Sequence, residues 1–284
     1  MGATTTTGEA IARPDQVLVE VEASQGAAVV GRVIEAGERA TGLVGKRVLV
    51  GPVDPCGECE ICRRGGAAVC PHATRREAIA DRIAAAARWA VPLEDGLELP
   101  LPAAAAVAGD VALAYTLYAR TGIGVREPVV ICGASPIARF LIEILIAKAI
   151  SPIVLVDPAH AAWCAHLAAK QVATATDRDG IAARFAADGI GRPWRVIAAS
   201  PAAAVTAAAL AGPRATLTVL APIPVLPGDL AAREVTIIGV AGAHPDLIVE
   251  VAAMCAKHEI DLVGGTSCSE TADMRSIVRI ATER

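Results

Sequence analysis

The chain has 284 residues, an apolar and alanine-rich composition, and a formal net charge of -4. This length can bury a substantial core in one large or two modest domains, whereas the charge offers no basic surface for nucleic acid or anionic lipid. The longest apolar runs are interrupted by Asp110, Arg139, Glu143 and Lys148, so none of them is expected to span a membrane. We therefore expect a soluble globular protein, with neither nucleic acid nor a membrane as its partner.

The N-terminal part of the chain has the pattern of a small β domain. Residues Gln16–Val21 alternate apolar and polar side chains, as in a strand with one buried face. Val29–Ala36 and Arg47–Val50 are strands of the same kind, separated by glycine-containing turns. Ile79–Val91 is open to two interpretations, because its alanine content favours a helix, whereas its ending, Arg88–Pro92, also fits a strand that returns to the β domain.

Four cysteines in this part of the chain have the spacing of a metal site. Cys56, Cys59, Cys62 and Cys70 follow the pattern C-x2-C-x2-C-x7-C, which lets four thiolates converge on one tetrahedral zinc. An iron–sulfur cluster is one alternative, but the ferredoxin pattern has three residues before its last cysteine. Disulfides are the other, but the sequence shows no secretory apolar segment, and its remaining cysteines are scattered in apolar stretches. We predict a structural zinc in a protein of the reducing cytoplasm.

From about Pro102 the pattern changes to alternating helices and strands. Val111–Thr121 is predicted to be a helix, and Val129–Cys132 is a short apolar strand of the kind buried in parallel sheets. A glycine turn and a helix with one apolar face follow. The remaining predicted elements are the strand Ile153–Val156, the helix Ala159–Lys170, the strand Arg195–Ala199, the helix Ala202–Leu210, and the strands Thr216–Leu220 and Val235–Val240. Such alternation predicts an α/β fold with a doubly wound parallel sheet.

The turn after the first of these strands is the place where such folds bind the pyrophosphate of a dinucleotide. It keeps Gly133 of the motif G-x-G-x-x-G but has Ser135 at the second glycine, where a side chain hinders close approach of the phosphates. Asp157 stands about 20 residues further on, where an acidic side chain binds the ribose, and no arginine follows it, so NAD is favoured over NADP. A sheet that no longer binds nucleotide is the alternative. The candidate cofactor-binding residues are Gly133, Ala134, Ser135, Pro136, Ile137 and Asp157.

Several short motifs, together with the order of the two parts, resemble one family. The motifs are Gly31–Gly37, Gly45–Val50, Pro55–Cys62 and Arg233–Gly239. With them the chain resembles the medium-chain dehydrogenase/reductase superfamily, of the zinc-type alcohol dehydrogenase kind, over nearly its whole length. The resemblance implies a reduced GroES-like β domain over residues 1–106, with the zinc lobe at 56–70 and a return of the chain over residues 263–284. It also implies a Rossmann-like nucleotide-binding domain over residues 107–262.

The same resemblance implies ligands and assembly. In the superfamily the cysteine lobe binds a structural zinc, the second domain binds a nicotinamide cofactor, and the cleft between the domains holds a second, catalytic zinc. Relatives pair across a dimer through the strand that corresponds to Val235–Val240. We therefore expect a homodimer or higher oligomer.

The residues that hold the catalytic zinc in such enzymes are missing from this sequence. Ala23–Gly26 replaces a long segment that bears the first ligand in zinc-type members, and Ala27 and Ala28 replace the histidine and glutamate of the next motif. Gly109 stands at the third ligand, with Asp110 one place further on. Since a catalytic zinc needs three protein ligands, we predict that none is bound. The catalytic residues are unknown; the polar groups expected nearest the cleft, each of which also fits an ordinary structural role, are Ser24, Asp110, Tyr115 and Tyr118.

Two functions remain open from the sequence. The first is an enzyme that binds NAD(H) and works without a catalytic zinc, as a reductase or in non-redox chemistry such as elimination or cyclisation on a small organic substrate. The second is a catalytically inactive homologue that acts as a binding or partner subunit. Titration with nicotinamide nucleotides distinguishes the two.

Overall fold

The computed structural model describes residues 13–76, 79–93, 99–124, 127–156, 171–174, 178–187, 192–220, 229–257, 260 and 262. Three expectations lie outside these residues: the role of Asp157, the helix Ala159–Lys170 and the return of residues 263–284 to the β domain.

The N-terminal half is built on antiparallel strands whose valines face one core. Alternation along the strands turns Val17, Val19, Val29 and Val48 inward, where each is 0% exposed. The elements are β1 (Gln16–Gln25), β2 (Ala28–Ala36), β3 (Arg47–Val50), β4 (Val53–Asp54), the short helix α1 (Glu60–Arg63), β5 (Thr74–Arg75), β6 (Arg82–Ala86) and β7 (Ala90–Pro92). Five of the strands form a sheet in the order β6-β1-β2-β3-β7, and β4 pairs with β5 in a separate ribbon.

The three strands predicted in this half are confirmed, and the first of them runs on to Gln25. It then turns directly into β2, so that Gln25 pairs with Ala28 in a tight hairpin. Of the two interpretations of Ile79–Val91, the strand is correct. Residues 82–86 pair with β1 along its open edge, and this tertiary pairing outweighs the helix preference of the alanines.

A continuous helical stretch joins the two halves of the chain. It consists of α2 (Leu101–Ala106), a π-helical turn (Val107–Val111) and α3 (Ala112–Thr121). The predicted helix Val111–Thr121 is therefore confirmed as α3. It is the last part of a helical stretch that begins ten residues earlier, at Leu101. The expected domain boundary after residue 106 falls inside this stretch. Six of its alanines, from Ala104 to Ala114, are almost fully buried, which allows close packing in a core with few aromatic side chains.

The C-terminal half contains a parallel sheet with helices between its strands. The elements are β8 (Val129–Cys132), α4 (Pro136–Ala147), β9 (Ile153–Val156), β10 (Gln171–Thr174), α5 (Arg178–Ala187), β11 (Arg195–Ala198), α6 (Ala204–Leu210), β12 (Thr216–Val219), β13 (Thr236–Gly239) and α7 (Ile248–Ala256). Within the described residues the sheet has the order β10-β9-β8-β11-β12-β13, and every pair is parallel. This is the strand order of dinucleotide-binding folds, in which the connection reverses direction between β8 and β11.

The predicted α/β fold is confirmed. The predicted strands of the parallel sheet agree with the structure to within one residue at each end, whereas β10, α5 and α7 were not predicted. None of the helices in the described part of the chain is both long and apolar enough to cross a bilayer.

Candidate functional site

The four predicted zinc ligands meet at one point of the lobe. The ligand atoms of Cys56, Cys59, Cys62 and Cys70 all lie within 4.8 Å of one another. Individual sulfur pairs are 3.5, 3.8 and 4.0 Å apart, whereas the sulfurs of a disulfide are separated by about 2.05 Å. Four sulfurs at about 2.3 Å from a zinc lie about 3.8 Å from one another. The cluster therefore fits a tetrahedral zinc and contains no disulfide.

Local backbone geometry brings these sulfurs together. Gly57 adopts φ +72°, a conformation open to glycine, and reverses the chain directly after Cys56. The N–H of Cys59 donates to the sulfur of Cys56, and the N–H of Cys62 donates to the sulfur of Cys59, each over 3.4 Å. Cys59 thereby caps the N-terminus of α1. Two backbone N–H groups of the lobe thus donate to cysteine sulfurs.

These donors also change the acidity of the thiols. Hydrogen bonds from the backbone N–H groups of Glu58 and Cys59 lower the pKa of Cys56 to about 6. Burial, with hydrogen bonds among the clustered thiols, raises the pKa of Cys62 to about 12. The Cys56 thiol is therefore more acidic than an ordinary cysteine thiol, and the Cys62 thiol is less acidic.

Two residues just after β6 contact the start of the cysteine lobe. The indole Nε1 of Trp89 donates to the carbonyl oxygen of Pro55 over 2.8 Å. The guanidinium of Arg88 lies against Gly57, where a Cβ would come within 1.9 Å of Nη1, and it pairs with Glu58 at 3.8 Å. A cation thus lies next to the first cysteines, and neither contact was predicted from the sequence.

The far side of the lobe contacts the C-terminal half. His244 Nε2 lies 2.5 Å from the carbonyl oxygen of Gly65, and the N–H of His244 donates to Thr116 Oγ1 over 2.9 Å. Two residues earlier, Gly242 lies close to the methyl group of Ala68. The segment after β13 therefore connects the lobe to α3.

A cleft lies at the carboxyl ends of the central parallel strands. It has a volume of about 360 Å³ and is mostly apolar. Its lining residues are Leu113, Ala134, Ser135, Pro136, Ile137, Ala199, Ser200, Pro201, Leu220, Val240 and Ala241. This is the topological switch point, where open α/β sheets bind their ligands. The structure brings four of the six predicted cofactor-binding residues, Ala134 to Ile137, into this wall.

The fifth predicted residue, Gly133, shapes the turn beneath the cleft. Its φ is +98°, and a Cβ at this position would lie 2.5 Å from Ser200 Oγ. The turn therefore requires glycine at this position, both for its positive φ and for the space that Ser200 occupies. Asp157, the sixth, lies outside the described residues.

The β1–β2 hairpin contacts Gly109 and Asp110, the region to which the resemblance assigns the third ligand of a catalytic zinc. Gln25 Nε2 donates to Asp110 Oδ2 over 3.0 Å. A Cβ on Gly109 would lie 3.1 Å from that of Ala28, so a longer side chain has little room. Burial raises the pKa of Asp110, and the hydrogen bond from Gln25 lowers it in part. Among the described residues, the four cysteines are the one group of His, Cys, Asp or Glu that can hold a metal ion.

The other polar residues expected near the cleft have different surroundings. Tyr115 is buried and donates a short hydrogen bond to the carboxylate of Glu250 on α7. The ring of Tyr118 packs against that of Tyr115 with centroids 5.5 Å apart. Ser24 lies in β1 opposite Val29. Neither tyrosine is among the residues that line the cleft.

Comparison of sequences identifies the first part of the chain. The family model of the alcohol dehydrogenase GroES-like domain matches residues 5–95. The matched residues contain the β sheet and the cysteine lobe described above. A comparison with curated protein sequences found no match.

Solved structures share the fold of the whole chain. The alcohol dehydrogenase TADH from Thermus sp. ATN1 has a TM-score of 0.77 at 18% identity, with 89% of this chain and 85% of that chain covered. The D-arabinose dehydrogenase from Sulfolobus solfataricus has a TM-score of 0.75 at 18% identity, with 89% and 90% covered. An alcohol dehydrogenase from E. coli CFT073, complexed with NADH, has a TM-score of 0.74 at 18% identity, with 88% and 83% covered. The resemblance to zinc-type alcohol dehydrogenases is thus confirmed by sequence for the GroES-like domain and by structure for the fold.

Proposed function

We propose that this protein is an NAD(H)-dependent reductase with a structural zinc and no catalytic zinc. The zinc is held by Cys56, Cys59, Cys62 and Cys70, and the nucleotide lies in the cleft beside Gly133 to Ile137, with Asp157 at the ribose. The proposed domains are residues 1–106 with 263–284, and residues 107–262. Because all six described cysteines are unpaired thiols, we place the protein in a reducing compartment such as the cytoplasm.

The observation that carries the proposal is the hydrogen bond between Gln25 and Asp110. Relatives of the zinc type are expected to have metal ligands in this region, and here a neutral amide and one carboxylate bind each other instead. One carboxylate is too few ligands for a zinc with an open coordination position. Reduction of an activated double bond requires no Lewis acid of this kind, which is why we favour it.

Asp110 is our candidate for the proton donor. It lies one helical turn before Leu113, which lines the cleft, so the two residues share a face of the helical stretch. Its raised pKa keeps the carboxyl protonated to a higher pH than an ordinary aspartate. Bound in the cleft, NADH would supply the hydride for one carbon of the double bond, and the Asp110 carboxyl would hold the proton for the other carbon.

Titration of the purified protein with NADH and NADPH tests the cofactor assignment. We expect saturable binding with a preference for NADH, which Asp157→Ala should weaken. Oxidation of NADH is then followed with a series of α,β-unsaturated aldehydes and ketones. Tighter binding of NADPH than of NADH would contradict the assignment of Asp157.

Simple alcohols provide the negative test. We expect no NAD-dependent oxidation of primary, secondary or alicyclic alcohols above background, with or without added zinc, and no gain from Ala27→His alone. A single histidine leaves the metal short of ligands. A chelator-sensitive alcohol dehydrogenase activity would show that the catalytic positions lie elsewhere.

A non-catalytic partner subunit is the second candidate. The outer edge of β13 is the feature that favours it, because β13 ends the parallel sheet within the described residues and exposes Ile237 there. Such an edge can pair with a strand of another chain. Absence of any nucleotide binding would favour this candidate.

A further inference from the structure

The N-terminus of α4 is capped from within the chain. Ser135 Oγ accepts a hydrogen bond from the N–H of Ala138 over 3.0 Å. The same hydroxyl donates to the carbonyl oxygen of Ala199 over 2.9 Å, so it bridges the start of α4 to the residue after β11. Ser135 also lines the cleft.

This cap uses donors that a bound diphosphate would need. The pyrophosphate of a dinucleotide binds free N–H groups in the first turn of this helix. Pro136 occupies the first position of α4 and has no N–H, and the N–H of Ala138 is taken by Ser135. Of the first-turn donors, only the N–H of Ile137 has no hydrogen bond among the described residues.

We propose that the Ser135 hydroxyl competes with the diphosphate of a dinucleotide for the N-terminus of α4. Binding of NAD(H) then depends more on the apolar walls of the cleft, such as Leu113, Ile137 and Val240, than on the phosphates. Ser135 is thus a specificity-determining residue, because it favours ligands that bind through their rings over ligands that bind through charged phosphates. This inference rests on the proposed function.

Removal of the Ser135 hydroxyl has different effects on nucleotide affinity if the hydroxyl competes with the ligand and if it only caps the helix. Removal of a serine N-cap destabilises a helix in either case. If the hydroxyl competes with the ligand, its removal also frees the N–H of Ala138 for a phosphate oxygen, so that nucleotide affinity rises while stability falls. A structural cap gives no such gain.

Three variants test the inference in the full-length, zinc-loaded protein. Ser135→Ala removes the hydroxyl, Ser135→Gly also removes the Cβ, and Ser135→Thr keeps an oxygen that can cap. Binding of NADH and of adenosine is measured by titration calorimetry at fixed ionic strength, and the melting temperature by a thermal scan. Adenosine is the matched ligand control because it has no diphosphate.

We expect Ser135→Ala to tighten NADH binding roughly 10-fold, the effect of one additional hydrogen bond to a charged group, and to lower the melting temperature by a few degrees. Ser135→Gly should bind NADH at least as tightly, Ser135→Thr should resemble the unmodified protein, and adenosine affinity should stay unchanged throughout. Unchanged or weaker NADH binding in Ser135→Ala would overturn the competition but leave the proposed cofactor in place. Absence of NADH and NADPH binding in all four proteins would overturn both.

Discussion

Gln25 Nε2 donates a hydrogen bond to Asp110 Oδ2 and so joins the last residue of β1 to the π-helical turn. The contact lies at the region to which the resemblance assigns a ligand of a catalytic metal. It buries a carboxylate with one amide as its hydrogen-bond donor, and it leaves Gln25 Oε1 buried without a partner among the described residues. Such an arrangement costs stability when Asp110 is charged.

Replacement of Asp110 by asparagine should therefore stabilise the protein and impair its reaction. The folded-state pKa of Asp110 is raised, so its contribution to stability is present below the ordinary aspartate pKa of about 3.9 and is lost as the pH rises through the folded value. At pH 8, where the carboxylate is charged, we expect Asp110→Asn to raise the free energy of unfolding.

Denaturant unfolding at several pH values measures this effect. The advantage of Asp110→Asn should shrink as the pH falls, while the rate of NADH oxidation stays low because asparagine cannot donate the proton. A variant less stable than the unmodified protein at pH 8 would mean that the charged carboxylate is stabilising.

The cysteine cluster should hold close to one zinc per chain. Cys59→Ala removes a ligand and the cap of α1, so zinc content should fall towards zero and the free energy of unfolding by several kcal/mol, because structural zinc sites bind with about 10 kcal/mol or more. Elemental analysis and denaturation measure the two effects. Cys132→Ala is the control, since Cys132 is a buried thiol of β8 and its loss should leave zinc in place. Two zincs per chain, or iron, would contradict the assignment.

Arg88 should slow the release of that zinc. A tetrathiolate site carries excess negative charge, and the Arg88 guanidinium lies against Gly57 inside the ligand loop. Groups that support metal ligands contribute about 10- to 100-fold to metal affinity, so we expect Arg88→Met to speed zinc transfer to a chromogenic chelator about 10-fold.

Arg64→Met is the matched control for Arg88. Arg64 lies in the same lobe but is 76% exposed and pairs with Glu60. An equal effect of both variants would attribute the result to net charge and not to the contact of Arg88.

The exposed edge of β13 should mediate a dimer. Ile237 is 40% exposed on this edge strand, and a lysine there should block strand pairing between subunits. Light scattering at micromolar concentration should show a dimer or larger for the unmodified protein and for Ile34→Lys, whose isoleucine lies in β2 and is 37% exposed, but a monomer for Ile237→Lys. A monomeric unmodified protein would rule this interface out.

The sequence predicts those elements whose pattern is local. Val129–Cys132 and Ile153–Val156 were predicted to the residue, because each is a short apolar strand bounded by turn residues. The cysteine spacing likewise indicated the cluster. In contrast, β6 forms because it pairs with the open edge of β1, which is distant in sequence. Its alanines on their own favour a helix.

The site contacts that were missed are also distant in sequence. Gln25 and Asp110 are 85 residues apart, and His244 and Gly65 are 179 apart. No spacing rule joins such residues. Ser135 was noticed as an obstacle to the phosphates, but its hydrogen bond to Ala199 depends on the pairing of β8 with β11.

The segment that begins at Val240 has a consequence for cooperativity. Val240 and Ala241 form part of the cleft wall, and His244, a few residues later, holds the metal lobe at Gly65. The proposed metal and nucleotide sites therefore lie at opposite ends of one short peptide. If metal binding raises the affinity of the cleft for a nucleotide by some factor, a bound nucleotide must raise the affinity of the lobe for the metal by the same factor.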